Sequence, residues 1–191
     1  MNQKNDYRRG DIIKMAVNTE TEIIYRNPVA KDGASVWELI RDTETLDLNS
    51  PYCYMLLGDY FNDTCMIAEH EGDIIGFISA FRSPRNQDRL FVWQVAVART
   101  HQRQGIAKNM LTYLLKQKAC HGVRFIEATI SPSNKASHRL FLSFAEERSI
   151  PSTVTAGYGA DMFPDRSNHE DEPLFVIGPI INEMETIGGV L

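Results

Sequence analysis

The stretch FVWQVAVARTHQRQGIAKNML, residues 91–111, decides the fold of this chain. Residues 91–97 are mostly β-branched, aromatic or small and include no glycine or proline, which predicts a strand buried on both faces. A polar turn follows, and Gly105 opens an amphipathic segment at helical spacing, with His121-Gly122 as its expected stop. This order leaves backbone N–H groups unpaired at a helix N-terminus, which favours a bound anion such as phosphate.

The turn carries Gln102, Gly105 and Ala107 in the pattern Q-x-x-G-x-A. A glycine there lets the backbone approach an oxygen that a Cβ atom would block. The segment resembles the acetyl-coenzyme A loop of the GCN5-related N-acetyltransferases (GNAT), written [QR]-x-x-G-x-[GA]. On the pattern alone, a polar strand-to-helix turn that binds nothing is an equal alternative.

The resemblance implies that acetyl-coenzyme A is the cosubstrate and that backbone N–H groups around Val97 stabilise the oxyanion of the reaction. It also implies which residues bind the cofactor. They are Val95, Val97, Gln102, Arg103, Gln104, Gly105, Ile106 and Ala107.

The length of 191 residues predicts a single domain, over residues 21–191, after a flexible N-terminal arm at residues 1–20. Met15 is an alternative start within that arm. The net charge of −5 argues against a nucleic-acid surface, which would need clustered lysine and arginine. Apart from a locally bound anion, partners are therefore expected to be neutral or cationic.

The three cysteines, Cys53, Cys65 and Cys120, are odd in number and widely spaced. This usage predicts reduced thiols in the cytoplasm, with neither disulfides nor a metal site. No apolar run approaches the ~20 residues that a membrane-spanning helix needs, so no membrane partner is expected.

The whole chain predicts the element order β-α-α-β-β-β-α-β-α-β-β over residues 22–181. Asp32 is the expected N-cap of the first helix, and Asn49-Ser50-Pro51 the start of the second. The order is similar to the GNAT fold, in the α/β (α+β) class. That resemblance implies a mixed, mostly antiparallel central sheet of about six to seven strands flanked by helices.

A second segment begins at Asn134 and resembles the family's N-x-x-A-x-x-L-Y pattern. The resemblance implies that Asn134 contacts the pantetheine or phosphate region of the cofactor, although a plain helix N-cap explains it equally well. Phe141 stands where the family often has a tyrosine, so the usual tyrosine acid is absent. Water or a residue of the substrate loops would then protonate the departing thiolate, if anything must.

The block L-D-L-N-S-P-Y-C-Y at residues 46–54 and the late HEDEPLF at residues 169–175 resemble the GNAT members that act on L-2,4-diaminobutyrate in ectoine biosynthesis. The implied reaction is direct attack of the γ-amino group on acetyl-coenzyme A, giving Nγ-acetyl-L-2,4-diaminobutyrate. Pairing of late strands between subunits, common in the family, implies a homodimer.

A substrate with two ammonium groups and one carboxylate needs a pocket with excess negative charge and an apolar wall. Trp93 is a candidate for that wall, and ordinary core packing is an equally good explanation of this residue. The expected substrate-binding residues are Asp47, Asn49, Tyr52, Trp93 and Glu172.

The γ-ammonium must lose a proton before attack, which makes His169 and Glu172 the catalytic candidates. Both lie in the acidic stretch at residues 159–173, for which a solvated surface loop is the default interpretation. Two other functions remain open at this point. The chain could acetylate another small diamine or amino acid, or it could be a non-catalytic sensor of acyl-coenzyme A.

Overall fold

The computed structural model describes residues 22–164 and 169–180. The arm predicted for residues 1–20 lies outside these residues. The element order predicted from the sequence is confirmed. The strands are β1 (Ile24–Arg26), β2 (Met66–His70), β3 (Asp73–Arg82), β4 (Arg89–Val97), β5 (Phe125–Thr129), β6 (Ser152–Tyr158) and β7 (Glu172–Ile177). The helices are α1 (Gly33–Thr43), α2 (Pro51–Tyr60), α3 (Ile106–Leu115) and α4 (Lys135–Glu147).

Within the described residues, the strands form one sheet of seven in the order β1-β2-β3-β4-β5-β7-β6. Strands β4 and β5 run parallel, and every other neighbouring pair is antiparallel. The mixed, mostly antiparallel sheet expected from the sequence is therefore confirmed. Glu71 and Gly72, both at positive φ (54° and 89°), make the tight turn between β2 and β3.

The sheet is covered by helices on both faces. One face packs against α3 and α4 through the helix residues Ile106, Met110, Leu111, Leu114, Phe141 and Phe144. The other face packs against α1 and α2 through Val36, Leu39, Ile40, Tyr54 and Leu57. The apolar spacing of each helix thus becomes one layer of the core.

Strand β4 contains a bulge at Trp93. Val92 is opposite Ala80 and Gln94 is opposite Ser79, so Trp93 is one residue more than β3 can pair. Before the bulge, Val92 packs in the α3/α4 core; after it, Ala96 packs in the α1/α2 core. The prediction of a strand buried on both faces is therefore wrong at this point, because Trp93 is 44% exposed.

One predicted helix end is also corrected. Helix α3 ends at Leu115 instead of near His121, because Gln117 takes an extended conformation (φ −65°, ψ 146°) that turns Cys120 into the core. Asp32 lies at the predicted N-cap position of α1, but its side chain makes no capping hydrogen bond. Its carboxylate instead accepts hydrogen bonds from the Arg26 guanidinium and the Val29 N–H.

The start of α2 is confirmed. The Ser50 side chain accepts a hydrogen bond from the Cys53 N–H, and Pro51 is the first helical residue. This cap fixes the direction in which residues 46–49 leave α2, towards the end of the sheet where β4 and β5 separate.

Candidate active site

The site begins as a gap between two parallel strands. Strand β5 pairs with β4 only along residues 89–91, whereas β3 follows β4 as far as Val97. The Ala98 N–H donates to the Ile75 carbonyl at 2.8 Å, so alternation along the strand turns the N–H groups of Val95 and Val97 away from β3. These two amides face the gap and are placed to donate to a ligand or an oxyanion there.

The polar turn after β4 closes one end of the gap. Gly105 has a φ of +78°, and a Cβ atom added there would meet no atom within 4 Å. The conformation demands glycine, and the space beside it is open. Helix α3 follows immediately at Ile106, with the free N–H groups of its first turn at this opening.

A cavity of about 330 Å³ lies along this turn and reaches α4. Its described lining includes four basic side chains and no carboxylate. The basic residues are His101, Arg103, Lys108 and Arg139. Lys108 also pairs with Glu147 across the helices. The cavity is suited to a phosphate-bearing ligand, because its lysine and arginine side chains and the helix N-terminus favour negative charge.

A larger cavity of about 860 Å³ continues from the first. Its described lining includes no lysine or arginine, and its aromatic residues include Trp93, exposed at the bulge. Four acidic residues line it, namely Glu44, Asp47, Glu170 and Glu172, of which Glu44 is paired with Arg99. A cation with an apolar portion suits this cavity. The two cavities share three lining residues, Thr45, Val95 and Ser137.

A buried hydrogen-bond network fixes residues 47–49 at the edge of the acidic cavity. Gln94, 5% exposed, donates from Nε2 to the Asp47 carbonyl at 2.7 Å and accepts from the Tyr54 hydroxyl at 3.3 Å. The same hydroxyl accepts from the Asn49 N–H at 3.3 Å. Asp47 and Asn49 both line the cavity, so the network positions both.

Glu172, at the start of β7, lines the acidic cavity together with Asp47. Partial burial is the main reason that the pKa of Glu172 lies above its usual range, and the negative charges of Asp47 and Glu170 add to the effect. A hydrogen bond with the Thr129 side chain and the charge of His169 act in the opposite direction. A ligand cation beside Glu172 would relieve the carboxylate repulsion.

The described parts of the acidic stretch, residues 159–164 and 169–173, make specific contacts. The His169 ring stacks on Phe163 with 4.3 Å between ring centres, and both line the acidic cavity. Glu170 accepts from the Ser133 N–H at 2.8 Å, and Asp171 accepts from the Ala160 N–H at 2.9 Å. These contacts hold His169 against the cavity.

The remaining predicted residues fall into two groups. Asn134 caps α4 by accepting from the Ser137 N–H at 3.0 Å and also lines the acidic cavity, so both interpretations of this residue stay compatible with its position. Phe141 is buried at the wall of the same cavity. Tyr52, which is 65% exposed, and Gln104 line neither cavity.

Sequence reasoning missed several residues of the site. Gln94 is a polar residue inside an apolar run, and this is the one feature of the sequence that indicates a buried hydrogen-bond network. Nothing in the sequence singled out Thr129, Phe163 or Ser137, because only the folded chain brings these segments together.

The three cysteines are free thiols. Burial raises the pKa of Cys65 to about 12, that of Cys120 to about 11, and also that of Cys53, which disfavours the nucleophilic thiolate at all three. No group of three or more potential metal ligands occurs among the residues described. None of the described helices has the length and apolar character needed to cross a membrane.

Comparison with known proteins agrees with this geometry. The model of the acetyltransferase (GNAT) family matches residues 34–145. The L-2,4-diaminobutyric acid acetyltransferase of Marinococcus halophilus is 42% identical over 157 residues, which are 82% of this chain and 90% of the relative. That of Virgibacillus pantothenticus is 45% identical over 153 residues, 80% of this chain and 96% of the relative.

A solved structure is more similar still. The diaminobutyrate acetyltransferase EctA from Paenibacillus lautus, in complex with its substrate L-2,4-diaminobutyric acid and coenzyme A, is 78% identical, with a TM-score of 0.82. The match covers 85% of this chain and 98% of that protein.

Proposed function

The chain belongs to the acetyltransferase (GNAT) family, and we propose that it transfers the acetyl group of acetyl-coenzyme A to the γ-amino group of L-2,4-diaminobutyrate. The product is Nγ-acetyl-L-2,4-diaminobutyrate, the precursor for cyclisation to the compatible solute ectoine, which serves against osmotic stress. The observation that carries this proposal is the charge of two adjoining cavities. One is lined by cations along a glycine turn, and the other by carboxylates.

The cation-lined cavity fits the phosphates of coenzyme A. Its turn offers an open approach at Gly105 and the free N–H groups at the start of α3. From there the pantetheine arm has a path along the free edge of β4, where the Val95 and Val97 amides face the gap. The thioester would then lie where the two cavities meet, with its carbonyl oxygen within reach of these amides.

The acidic cavity, which is lined by carboxylates, fits the amino acid. Asp47 and Glu172 supply negative charge for its ammonium groups, and the exposed ring of Trp93 supplies an apolar and cation-attracting wall. A phosphate or a neutral acyl group would gain little in this cavity. The alternative of a sensor that only binds acyl-coenzyme A would not need it.

Chemistry requires the γ-amine in its neutral form. A carboxylate that pairs with an ammonium group opposes its deprotonation, so Glu172 is assigned to holding the substrate. His169, fixed by its stack on Phe163, or a water beside it accepts the proton. The amine then attacks the thioester carbon directly, and no covalent enzyme intermediate forms.

We also propose a homodimer that forms through the outer edge of the sheet. Every residue of β6 is exposed, although β6 is a full strand of seven residues. Val154 and Tyr158 are 57% and 55% exposed, which is unusual for apolar side chains on a sheet edge. Sedimentation analysis should give a dimer for the wild type and a monomer for Val154→Lys.

The three free cysteines favour a reducing compartment, so we propose the cytoplasm as the site of action. The test of the function itself is a thiol-release assay with acetyl-coenzyme A and L-2,4-diaminobutyrate, with the product's acetyl position assigned by NMR. If thiol release is faster with ornithine or lysine, that amino acid and not diaminobutyrate is the substrate. Tight acetyl-coenzyme A binding without release for any amine would support the sensor.

A further inference from the structure

Thr45, Val95 and Ser137 lie where the cation-lined and carboxylate-lined cavities meet. Only Thr45 and Ser137 have side chains that can donate a hydrogen bond. Thr45 is exposed on the loop after α1, whereas Ser137 is half-buried in the first turn of α4. The Ser137 side chain is therefore the better positioned of the two.

The position of Ser137 is fixed by the helix itself. Its backbone N–H donates to the Asn134 side chain at 3.0 Å, which is the N-cap bond of α4. Its hydroxyl makes no hydrogen bond with any other described residue. Ser143, on the same helix and also lining the cation-lined cavity, is different, because its hydroxyl donates to the Leu140 carbonyl at 3.1 Å. Ser137 thus presents a free donor to the junction.

Ser137 also lies one helical turn before Phe141, so the two residues occupy the same face of α4. Phe141 is 2% exposed and has no donor atom. The hydroxyl on this face is therefore provided by residue 137, where the family pattern quoted above has alanine.

We propose that the Ser137 hydroxyl donates a hydrogen bond to the sulfur of coenzyme A as the carbon–sulfur bond of the thioester breaks. The inference rests on the proposed acetyl transfer. The amine nitrogen bonds to the acetyl carbon, and the electron pair of the broken bond stays on sulfur. The serine keeps its proton, because it is a much weaker acid than a thiol. The thiolate then leaves as such or takes a proton from solvent.

The test measures the thiol of bound coenzyme A directly, so it does not depend on which amine is acetylated. The ultraviolet absorbance of the thiolate is titrated with pH in the complex of each variant with free coenzyme A. Ser137→Ala should raise the pKa of the bound thiol by about one unit, because a charge-assisted hydrogen bond is lost. It should also lower kcat by roughly 10-fold or more.

Two further variants separate this role from a structural one. Ser137→Thr keeps the hydroxyl and should restore both values, whereas Ser143→Ala should leave the thiol pKa as in the wild type. Alanine is the strongest helix former, so Ser137→Ala is not expected to unfold α4. The proposal is overturned if Ser137→Ala leaves the thiol pKa and kcat unchanged, or if the variant no longer binds coenzyme A. An inactive wild type with the expected shift in thiol pKa would refute the proposed acetyl transfer and not the contact.

Discussion

Replacing Gln94 by methionine should weaken both the fold and the binding of diaminobutyrate. Methionine has a similar volume but makes neither the 2.7 Å bond to the Asp47 carbonyl nor the 3.3 Å bond from the Tyr54 hydroxyl. Each net hydrogen bond contributes about 0.5–1.5 kcal/mol, so the free energy of unfolding should fall by about 1–3 kcal/mol. For a chain of this length, a loss of about 2 kcal/mol lowers Tm by roughly 4–8 °C.

The network also holds the Asp47 backbone in place, so the KM for diaminobutyrate should rise several-fold while the affinity for coenzyme A is retained. Calorimetry gives Tm and the cofactor affinity, and the thiol-release assay gives KM. Ser79→Ala is the matched control, because it removes a buried bond to the Gln94 backbone without touching residue 47. Ser79→Ala should lower Tm and leave KM unchanged. An equal rise of KM in both variants would show that the effect of Gln94 is general destabilisation.

Three other outcomes follow from the site. Gly105→Val should abolish coenzyme A binding, measured by calorimetry. Gly72→Val is the control, because Gly72 has a similar positive φ and equally open space, and this variant should bind coenzyme A normally. An equal loss of affinity in both variants would show that backbone strain alone is the cause. Burial and neighbouring carboxylates raise the pKa of Glu172, so the KM for diaminobutyrate should begin to rise with falling pH above the usual glutamate range. Glu172→Gln should raise KM at neutral pH and lose this acid limb, and an acid limb that persists would assign it elsewhere. His169→Ala should lower kcat, and the rate should recover partly at alkaline pH, where more of the amine is free. A wild-type rate at every pH would show that His169 has only a structural role.

The parts of the fold that depend on local chemistry could be predicted from the sequence. Ser50 followed by proline specified the start of α2, and the strand–turn–helix order placed Gly105 at the head of α3. Both features are encoded within a few residues, by a side chain that caps a helix or a residue that tolerates positive φ.

The bulge at Trp93 could not be predicted in this way. An apolar run does not show which of its residues lacks a partner, because the register depends on β3, more than ten residues earlier. The prediction for the end of α3 is wrong for a related reason. Residues 116–120 contain no helix breaker, and the chain leaves the helix there so that Cys120 reaches the core.

The candidate site was predictable only in pieces. The charges of Asp47 and Glu172 predict their place in the site, and both line one cavity because β7 lies next to β5 and Gln94 of β4 holds the Asp47 carbonyl. Tyr52 belongs to the same block as Asp47, but the cap at Ser50 turns the chain into α2 and leaves the Tyr52 ring exposed. Tyr52 and Asp47 are close in sequence but do not line the same cavity.

The division of charge between the two cavities has a consequence for the departure of the product. In the proposed reaction the amino acid enters with two ammonium groups and one carboxylate, a net charge of +1, and leaves as an amide with no net charge. Four carboxylates and no lysine or arginine line the described part of its cavity. The electrostatic attraction that holds the substrate therefore weakens when the γ-ammonium loses its proton, and formation of the amide makes that loss of charge permanent. Release of the product is favoured electrostatically, because the reaction removes part of the charge by which the substrate was bound.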